Sequence, residues 1–223
     1  MNDVRGARLF FGLTSGVVTL GLALQLVIIL TKGNASGSFA TTPARVVNFF
    51  SFFTVQSNIL VAVTTGLLAV SLDRRTTLFR VLRLDAVICI TVTGVVFHLA
   101  LASLQELTGW DALADFILHT LSPALGLLGW VFFGPRHQLT PRIVRWTLLA
   151  PVGWLTYALA YGAMVDDRHG NDYYAYPFMN AQVHGYVVAL LRCSLVAVLF
   201  LGLAFGALWL DPRLPGQRRL PVT

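Results

Sequence analysis

Charged residues are scarce in this sequence. Asp, Glu, Lys and Arg make up 12% of its 223 residues, whereas about 25% is usual for a soluble domain. Hydrophobic residues make up 56% of the chain, and the mean hydropathy is +0.72. This composition excludes an ordinary soluble domain and predicts an integral membrane protein.

Cysteine is also scarce. The two cysteines, Cys89 and Cys193, both lie deep inside apolar segments, which is typical of small core residues and excludes a disulfide framework. Low-complexity tracts, repeats of fixed period and a polar extramembrane domain are all missing from the sequence. Residues 1–223 are therefore expected to form a single membrane domain.

Long apolar runs are what the sequence does contain. They lie at about 8–30, 46–72, 79–103, 112–134, 142–165 and 184–210, and each is long enough for a helix that crosses a bilayer, about 20 residues. The first run exceeds the roughly 7–15 apolar residues of a cleaved signal peptide, so it is expected to remain as a span. The sequence predicts an all-α bundle of six transmembrane helices, because a helix satisfies its own backbone in lipid.

The loops differ sharply in charge. One side carries few basic residues, Lys32, Arg45 and Arg168, and several acids, Glu106, Asp111, Asp166, Asp167 and Asp172. The other side carries Arg5, Arg8, Arg74, Arg75, Arg80, Arg83, Arg136, Arg142, Arg145, Arg213, Arg218 and Arg219. Basic loops face the cytoplasm, so both termini are expected there. The net charge of +6 is interpreted as this topology signal and not as a nucleic-acid surface. The preference for Arg over Lys favours a bacterial source, and hence the inner (cell) membrane.

The second apolar run contains an unusual polar stretch, N-F-F-S-F-F-T-V-Q-S-N-I-L from Asn48 to Leu60. Helical spacing would place Ser51, Thr54 and Asn58 on one face, and Gln56 and Ser57 lie beside them. A lipid-facing helix gains nothing from such a stripe, so it indicates a polar cavity or contacts between helices. Threonine in a membrane helix also commonly bonds its own backbone, which leaves a structural role open.

A second polar group occurs on the fourth run, D-F-I-L-H-T-L-S-P. Asp115 and His119 are four residues apart and share a face, which Ser122 extends. A carboxylate beside an imidazole can hold a general base ready, and Pro123 can open the helix locally. The alternative is a pair that only bridges helices. With a rise of 1.5 Å per residue, Thr54 and His119 are expected at similar depths, about 12 and 10 Å inside the outer ends of their helices.

The motifs F-F-T-V-Q-S-N-I-L, L-H-T-L-S-P and Y-P-F-M resemble those of the androgen-induced family of membrane threonine hydrolases, which cleave fatty acid esters of hydroxy fatty acids. The resemblance implies Thr54 as nucleophile, His119 as its base, a lipid ester as substrate and no cofactor. It also implies a Tyr-Pro-Phe element at Tyr176, Pro177 and Phe178. The short second loop and the polar residues after Thr54 depart from the family pattern.

Ester hydrolysis by this pair requires donors for an oxyanion. Asn58, on the face of Thr54, and Gln56 are the candidates, with Ser57, Ser122 and Asp115 in support. Tyr176, Pro177, Phe178 and His184 precede or begin the last apolar run and are candidates for a lid or entrance.

Two other functions use the same residues. His98, His119 and His184 could hold a catalytic zinc, which often has three His ligands, although no two of them share a helix at ligand spacing. The chain could instead bind or transport lipid without chemistry. The pairs Gly12/Gly16 and Gly202/Gly206 have the Gly-x-x-x-Gly spacing of close helix contacts, and predict either packing within the chain or a homo-oligomer.

Overall fold

The computed structural model describes residues 4–31, 38–104 and 106–214. Six apolar helices are long enough to cross a membrane: Val4–Thr31, Phe53–Val70, Thr77–Leu104, Gly109–Phe133, Pro141–Met164 and Tyr186–Leu210, here called the first to sixth spans. The described part of the chain has no β-strand, only an isolated bridge between Asp166 and Asp172. The all-α prediction with six spans is confirmed.

The second span is shorter than predicted, because the chain breaks before Thr54. A separate helix, Thr42–Ser51, ends at Phe52, whose backbone is extended (φ −67°, ψ 134°), and the span begins at Phe53. The expected shared helical face of Ser51 and Thr54 is therefore wrong. Thr54 is the second residue of its helix and not a residue about two turns inside it.

The sixth span also begins later than predicted. His184 ends a short helix, Ala181–His184, and Gly185 follows with a positive φ of 76°. This left-handed conformation suits glycine, which has no Cβ to clash, and it separates His184 from the span that starts at Tyr186.

The third span contributes most to the interior of the bundle. Its Ala86 and Ile90 pack with Val18 of the first span and Val61 of the second. Nearer its end, Gly94 lies so close to the fourth span that an added Cβ would be 2.9 Å from Cβ of Pro123. The close approach brings the last turns of the third span against the segment that contains His119.

In the described part of the chain, three π-helical segments widen the turns of the third and fourth spans: Phe97–Leu101, Ile117–Leu121 and Gly129–Phe133. π-Turns within α-helices are uncommon and are frequent at functional sites, because they re-aim backbone and side-chain groups. The first two of these segments meet at the candidate site.

Contacts between span ends define the two ends of the bundle. At one end, Arg8 Nε donates to Ala69 O (2.7 Å) and the Asp211 carboxylate accepts from Gln138 N (2.9 Å). This end carries most of the described arginines and is called the basic end. At the opposite end, Arg168 N donates to Ser38 O (2.8 Å). Lys32, Arg218 and Arg219, which contributed to the charge prediction, lie outside the described residues.

The two Gly-x-x-x-Gly pairs are not equivalent. Gly12 packs within the chain, with Ala69 Cβ 3.6 Å from the position that its own Cβ would take. Gly16, Gly202 and Gly206 have nothing within 4 Å of that position. The Gly202/Gly206 face is thus not used for packing among the described residues.

Candidate active site

An apolar cavity of about 230 Å³ lies among the second to sixth spans. Thr54 and His119 line one end of it, near the end of the bundle opposite the basic end. From there the cavity extends toward the basic end between the third, fifth and sixth spans, where its walls are Val92, Val96, Leu148, Leu155, Val196 and Phe200. The cavity therefore has a small polar end at Thr54 and His119, called its head, and a long apolar remainder, called its body.

Three polar side chains form a line at the head of the cavity. His119 Nε2 lies 3.3 Å from Thr54 Oγ1, and His119 Nδ1 lies 2.9 Å from an oxygen of the Asp115 carboxylate. The Asp115 backbone oxygen is 3.2 Å from the same Nδ1. Because Nδ1 faces only acceptors, it carries the ring hydrogen, which leaves the lone pair of Nε2 directed at the Thr54 hydroxyl.

The surroundings hold this line in place. Phe97, the first residue of a π-turn, stacks on the imidazole of His119 with ring centroids 4.2 Å apart and planes at 16°. The Thr54 side chain is buried, whereas the side chains of His119 and Asp115 are 20% and 24% exposed. A hydroxyl, an imidazole and a carboxylate in this order form the arrangement in which a base activates a nucleophile and an acid orients the base.

Asn58 connects the helix of Thr54 to the helix of His119. Its side-chain Nδ2 donates to Thr54 O (2.8 Å) and to Leu118 O (3.1 Å). The Leu118 carbonyl is available because the π-turn sends the Ser122 N–H to Ile117 O instead. The next residue is Pro123, which has no N–H to offer. Asn58 is fully buried and its amide bridges two spans, so it positions the site and is not directed into the cavity.

The other polar residues singled out in the sequence do not line the cavity. Ser57 Oγ donates to Thr54 O (3.0 Å) and lies 3.0 Å from Thr93 Oγ1. Gln56 Nε2 donates to Phe50 O (3.0 Å), back across the chain break. Ser51 Oγ lies 2.5 Å from the Tyr157 hydroxyl. Ser122 Oγ is buried and has no hydrogen-bond partner among the described residues.

The break at Phe52 exposes backbone donors beside Thr54. The first N–H groups of a helix have no carbonyl partner within it, and Phe52 provides no side-chain cap. The Tyr176 hydroxyl lies close to the Thr54 side chain and to the N–H groups of Phe53 and Thr54. Burial raises the pKa of Tyr176, while the neighbouring polar groups of Thr54 and Phe53 act to lower it.

The Tyr-Pro-Phe element covers the head of the cavity. Pro177–Met179 forms a single 3-10 turn, and Tyr176, Phe178 and Met179 line the cavity. The Tyr176 ring lies 5.9 Å from Phe52 and 5.8 Å from Trp154. The placement fits the predicted lid or entrance for Tyr176 and Phe178, whereas His184 does not line the cavity.

The histidines considered for zinc do not come together. His98 Nε2 is paired with Thr120 Oγ1 at 3.1 Å, and His119 is engaged by Thr54 and Asp115. In the described ranges no group of three or more His, Cys, Asp or Glu side chains is arranged to hold a metal. The geometry offers no support for a zinc site built on His98, His119 and His184.

Four features of the site were missed in the sequence: the ring of Phe97 over His119, the contact of Tyr176 with Thr54, the bridge made by Asn58, and the free N–H groups after Phe52. The run of bulky aromatic residues before Thr54 contains no Pro or Gly that would signal a break. Only Pro123 gave a hint, since it removes a donor one turn after His119.

Comparisons of this chain with protein-family models, with curated proteins and with solved structures found no match. The geometry of the site and the resemblance of its motifs therefore carry the functional argument.

Proposed function

We propose that this protein is an integral membrane ester hydrolase with Thr54 as nucleophile and His119 as general base. The observation that carries the proposal is the continuous line from the Thr54 hydroxyl through His119 to the Asp115 carboxylate. The resemblance to the androgen-induced family points to the same two residues, and the geometry adds Asp115 as the group that orients the imidazole.

The mechanism begins with transfer of the Thr54 hydroxyl proton to His119 Nε2 while Oγ1 attacks the ester carbonyl carbon. The tetrahedral intermediate carries a negative oxygen. It collapses to an acyl-threonine and expels the alcohol, which takes the proton from His119. A water molecule then gives a proton to His119 and attacks the acyl carbon. Release of the acid returns the proton to Thr54.

The negative oxygen needs donors that are already in place. The N–H groups of Phe53 and Thr54 lie at the N-terminal end of the second span, where the helix dipole favours negative charge. Tyr176 supplies an O–H close to these two N–H groups. Together they form the oxyanion site of the proposed reaction, in place of Asn58 and Gln56.

The apolar body of the cavity supports a lipid ester as substrate. Its walls run from Cys193 to Leu201 on the sixth span, a length of about 12 Å at 1.5 Å per residue. An extended chain advances roughly 1.2 Å per single bond. The cavity therefore accommodates an acyl group of up to about ten carbons, with its carbonyl carbon at Thr54.

The proposed orientation of the protein in the membrane follows from the charges of its loops. The basic end carries most arginines, so the proposal places it in the cytoplasm together with both termini. The head of the cavity then lies in the outer half of the membrane, within reach of an ester at the interface. The arginine-rich composition supports a bacterial inner membrane.

The proposal is tested with an alkylphosphonofluoridate activity probe and with turnover of a nitrophenyl octanoate ester. Thr54→Ala is expected to abolish labelling, and His119→Ala to reduce turnover by about 10³-fold or more. Asp115→Asn is expected to reduce turnover by about 10²–10⁴-fold. Tyr176→Phe is expected to reduce kcat by about 10²-fold with little change in KM, since two backbone donors remain.

Thr156→Ala is the matched control. Thr156 is an exposed threonine on the fifth span that bonds only its own helix, at Val152 O, so labelling and turnover should be unchanged. Full labelling of Thr54→Ala would remove the proposed nucleophile. Tight binding of the ester with no turnover by the wild-type protein would instead favour a lipid carrier.

A further inference from the structure

A second polar site lies at the basic end of the bundle, far from Thr54. It is a small pocket of about 20 Å³ between the start of the third span, the end of the fourth and the residue that follows the sixth. Its polar lining consists of Arg80, Arg83, Gln138 and Asp211, with Trp130 as one apolar wall.

Arg83 is the unusual member of this group. It is only 6% exposed, and none of its three guanidinium nitrogens has a hydrogen-bond partner among the described residues. Its guanidinium carbon lies 5.3 Å from the centre of the Phe11 ring, a cation–π contact that offsets only a small part of the cost of removing the charge from water. Arginine in a span is costly and commonly marks a functional site.

The neighbouring charges do not neutralise Arg83. Arg136 is buried beside it and donates to the carbonyls of Trp130 and Val131. Arg80 has a buried Nε without a partner. The Asp211 carboxylate is engaged by the N–H groups of Gln138 and Leu139. Positive charge therefore exceeds negative charge around the pocket.

The other nearby acid is Asp85. It lies two residues after Arg83 on the same helix, a spacing that does not bring side chains together, and it does not line the pocket. No ion pair joins it to Arg83 in the described chain. Arg83 thus presents a planar fork of donors without hydrogen-bond partners among the described residues to a pocket whose one acid, Asp211, accepts from two backbone N–H groups through Oδ2.

We propose that this pocket binds a phosphate-bearing anion, supplied by the headgroup of an anionic phospholipid. A guanidinium matches phosphate oxygens in a bidentate geometry. A water-sized group needs about 10–15 Å³, so one or two phosphate oxygens enter the pocket while the remainder of the headgroup stays at the membrane surface. Arg83 lies six residues from the start of its span, about 9 Å deep, a depth consistent with a headgroup at the interface. Basic pockets between helices on this side of a membrane recognise such lipids.

The test measures thermal unfolding of the protein in a maltoside detergent, which contains no phosphate. Three additions are compared: dioleoylphosphatidylglycerol, dioleoylglycerol with the same tails and no phosphate, and inorganic phosphate. Phosphatidylglycerol should raise Tm, since a ligand of the folded state stabilises it, whereas dioleoylglycerol should not. Arg83→Gln should raise the phosphatidylglycerol concentration for half-maximal effect by about tenfold or more.

Arg75→Gln is the matched control, because Arg75 lies at the same end but is exposed and bonded to Asp73. It should respond to phosphatidylglycerol as the wild type does. If Arg83→Gln does not fold, Arg80→Gln tests the rim of the same pocket and should weaken the response. An unchanged response of Tm to phosphatidylglycerol in the Arg83→Gln variant would overturn the proposed site. If only the Arg80→Gln variant folds, an unchanged response in that variant would overturn it. Equal stabilisation by inorganic phosphate and by the lipid at equal concentration would retain the anion site and overturn the lipid as its source.

Discussion

Asn58→Leu tests whether the active site depends on a bridge between two spans. The substitution keeps the approximate shape of the side chain and removes both donors, to Thr54 O and Leu118 O. Thr54 O retains the Ser57 hydroxyl as a donor, whereas Leu118 O loses the side chain that satisfies it. The backbone offers no substitute there, because the Ser122 N–H bonds Ile117 O.

The expected magnitude follows from counting these groups. Each lost hydrogen bond costs about 0.5–1.5 kcal/mol, and values within membrane proteins average about 0.6 kcal/mol. The orphaned Leu118 carbonyl adds a penalty of roughly 1–3 kcal/mol. The substitution also removes Asn58 Oδ1, which is buried without a hydrogen-bond partner among the described residues, and this relieves a desolvation penalty of similar size. The net loss of stability should therefore be about 1–2 kcal/mol.

Catalysis should suffer more than stability. Without the bridge, the helix of Thr54 can shift relative to the helix of His119, and a displacement of about 1 Å can cost about 10²-fold in rate. The assay measures unfolding and the turnover of nitrophenyl octanoate, with kcat and KM determined separately. We expect kcat to fall by about 10²-fold with a smaller change in KM.

The matched control is Thr65→Val, which removes a buried hydroxyl from the same span. Thr65 Oγ1 bonds only carbonyls of its own helix, Val61 O (2.6 Å) and Ala62 O (3.3 Å), so turnover should be unaffected. A folded Asn58→Leu protein with the kcat of the wild type would refute the role of the bridge. A loss of stability alone would show that Asn58 holds the spans together without positioning the chemistry.

Two further predictions concern packing and pH. Gly94→Ala should destabilise the protein by about 1–3 kcal/mol in a thermal unfolding assay, since its Cβ would lie 2.9 Å from the rigid ring of Pro123. The control is Gly153→Ala, whose Cβ would have nothing within 4 Å and which should be neutral or slightly stabilising in the same assay. Equal Tm values for the two variants would contradict the close contact at Gly94. Burial raises the pKa of Tyr173 to about 12, above the value of about 10 in an unfolded chain. The stability that comes from this pKa difference is present below pH 10 and is lost as pH rises through 12. Tyr173→Phe should therefore show a smaller fall in Tm between pH 9 and pH 12 than the wild type. An identical fall in the variant and the wild type would exclude this contribution.

Much of the fold could be predicted because its signals are local. The six spans follow from apolar runs of bilayer length, and the observed helices agree with them except where the backbone changes direction. The error at residues 46–72 has a clear cause. Phe52 carries no Pro or Gly signal, and the break there is favoured by tertiary contacts: Trp154 Nε1 donates to Ser51 O (3.0 Å), and the Tyr176 hydroxyl lies close to the freed N–H groups.

The candidate site, like the fold, was predictable only where its contacts are local in the sequence. The Asp115–His119 contact was predictable, since residues four apart on one helix are neighbours. Arg83 was interpreted as a charge flanking a loop, but the structure places it inside the third span and buried. The signal that could have revealed it is its position inside the predicted run 79–103, with Asp85 two residues later in the same run.

By itself the sequence determined the membrane class, the number of spans, the charge difference between the two ends and the pairing of Asp115 with His119. Each depends on composition or on spacing along one helix. Only the tertiary structure decided that Thr54 meets His119, that Asn58 joins their helices, and that Tyr176 lies beside Thr54 in the lining of the cavity. These contacts link residues 60 or more positions apart in the chain, and helix packing alone sets which faces meet.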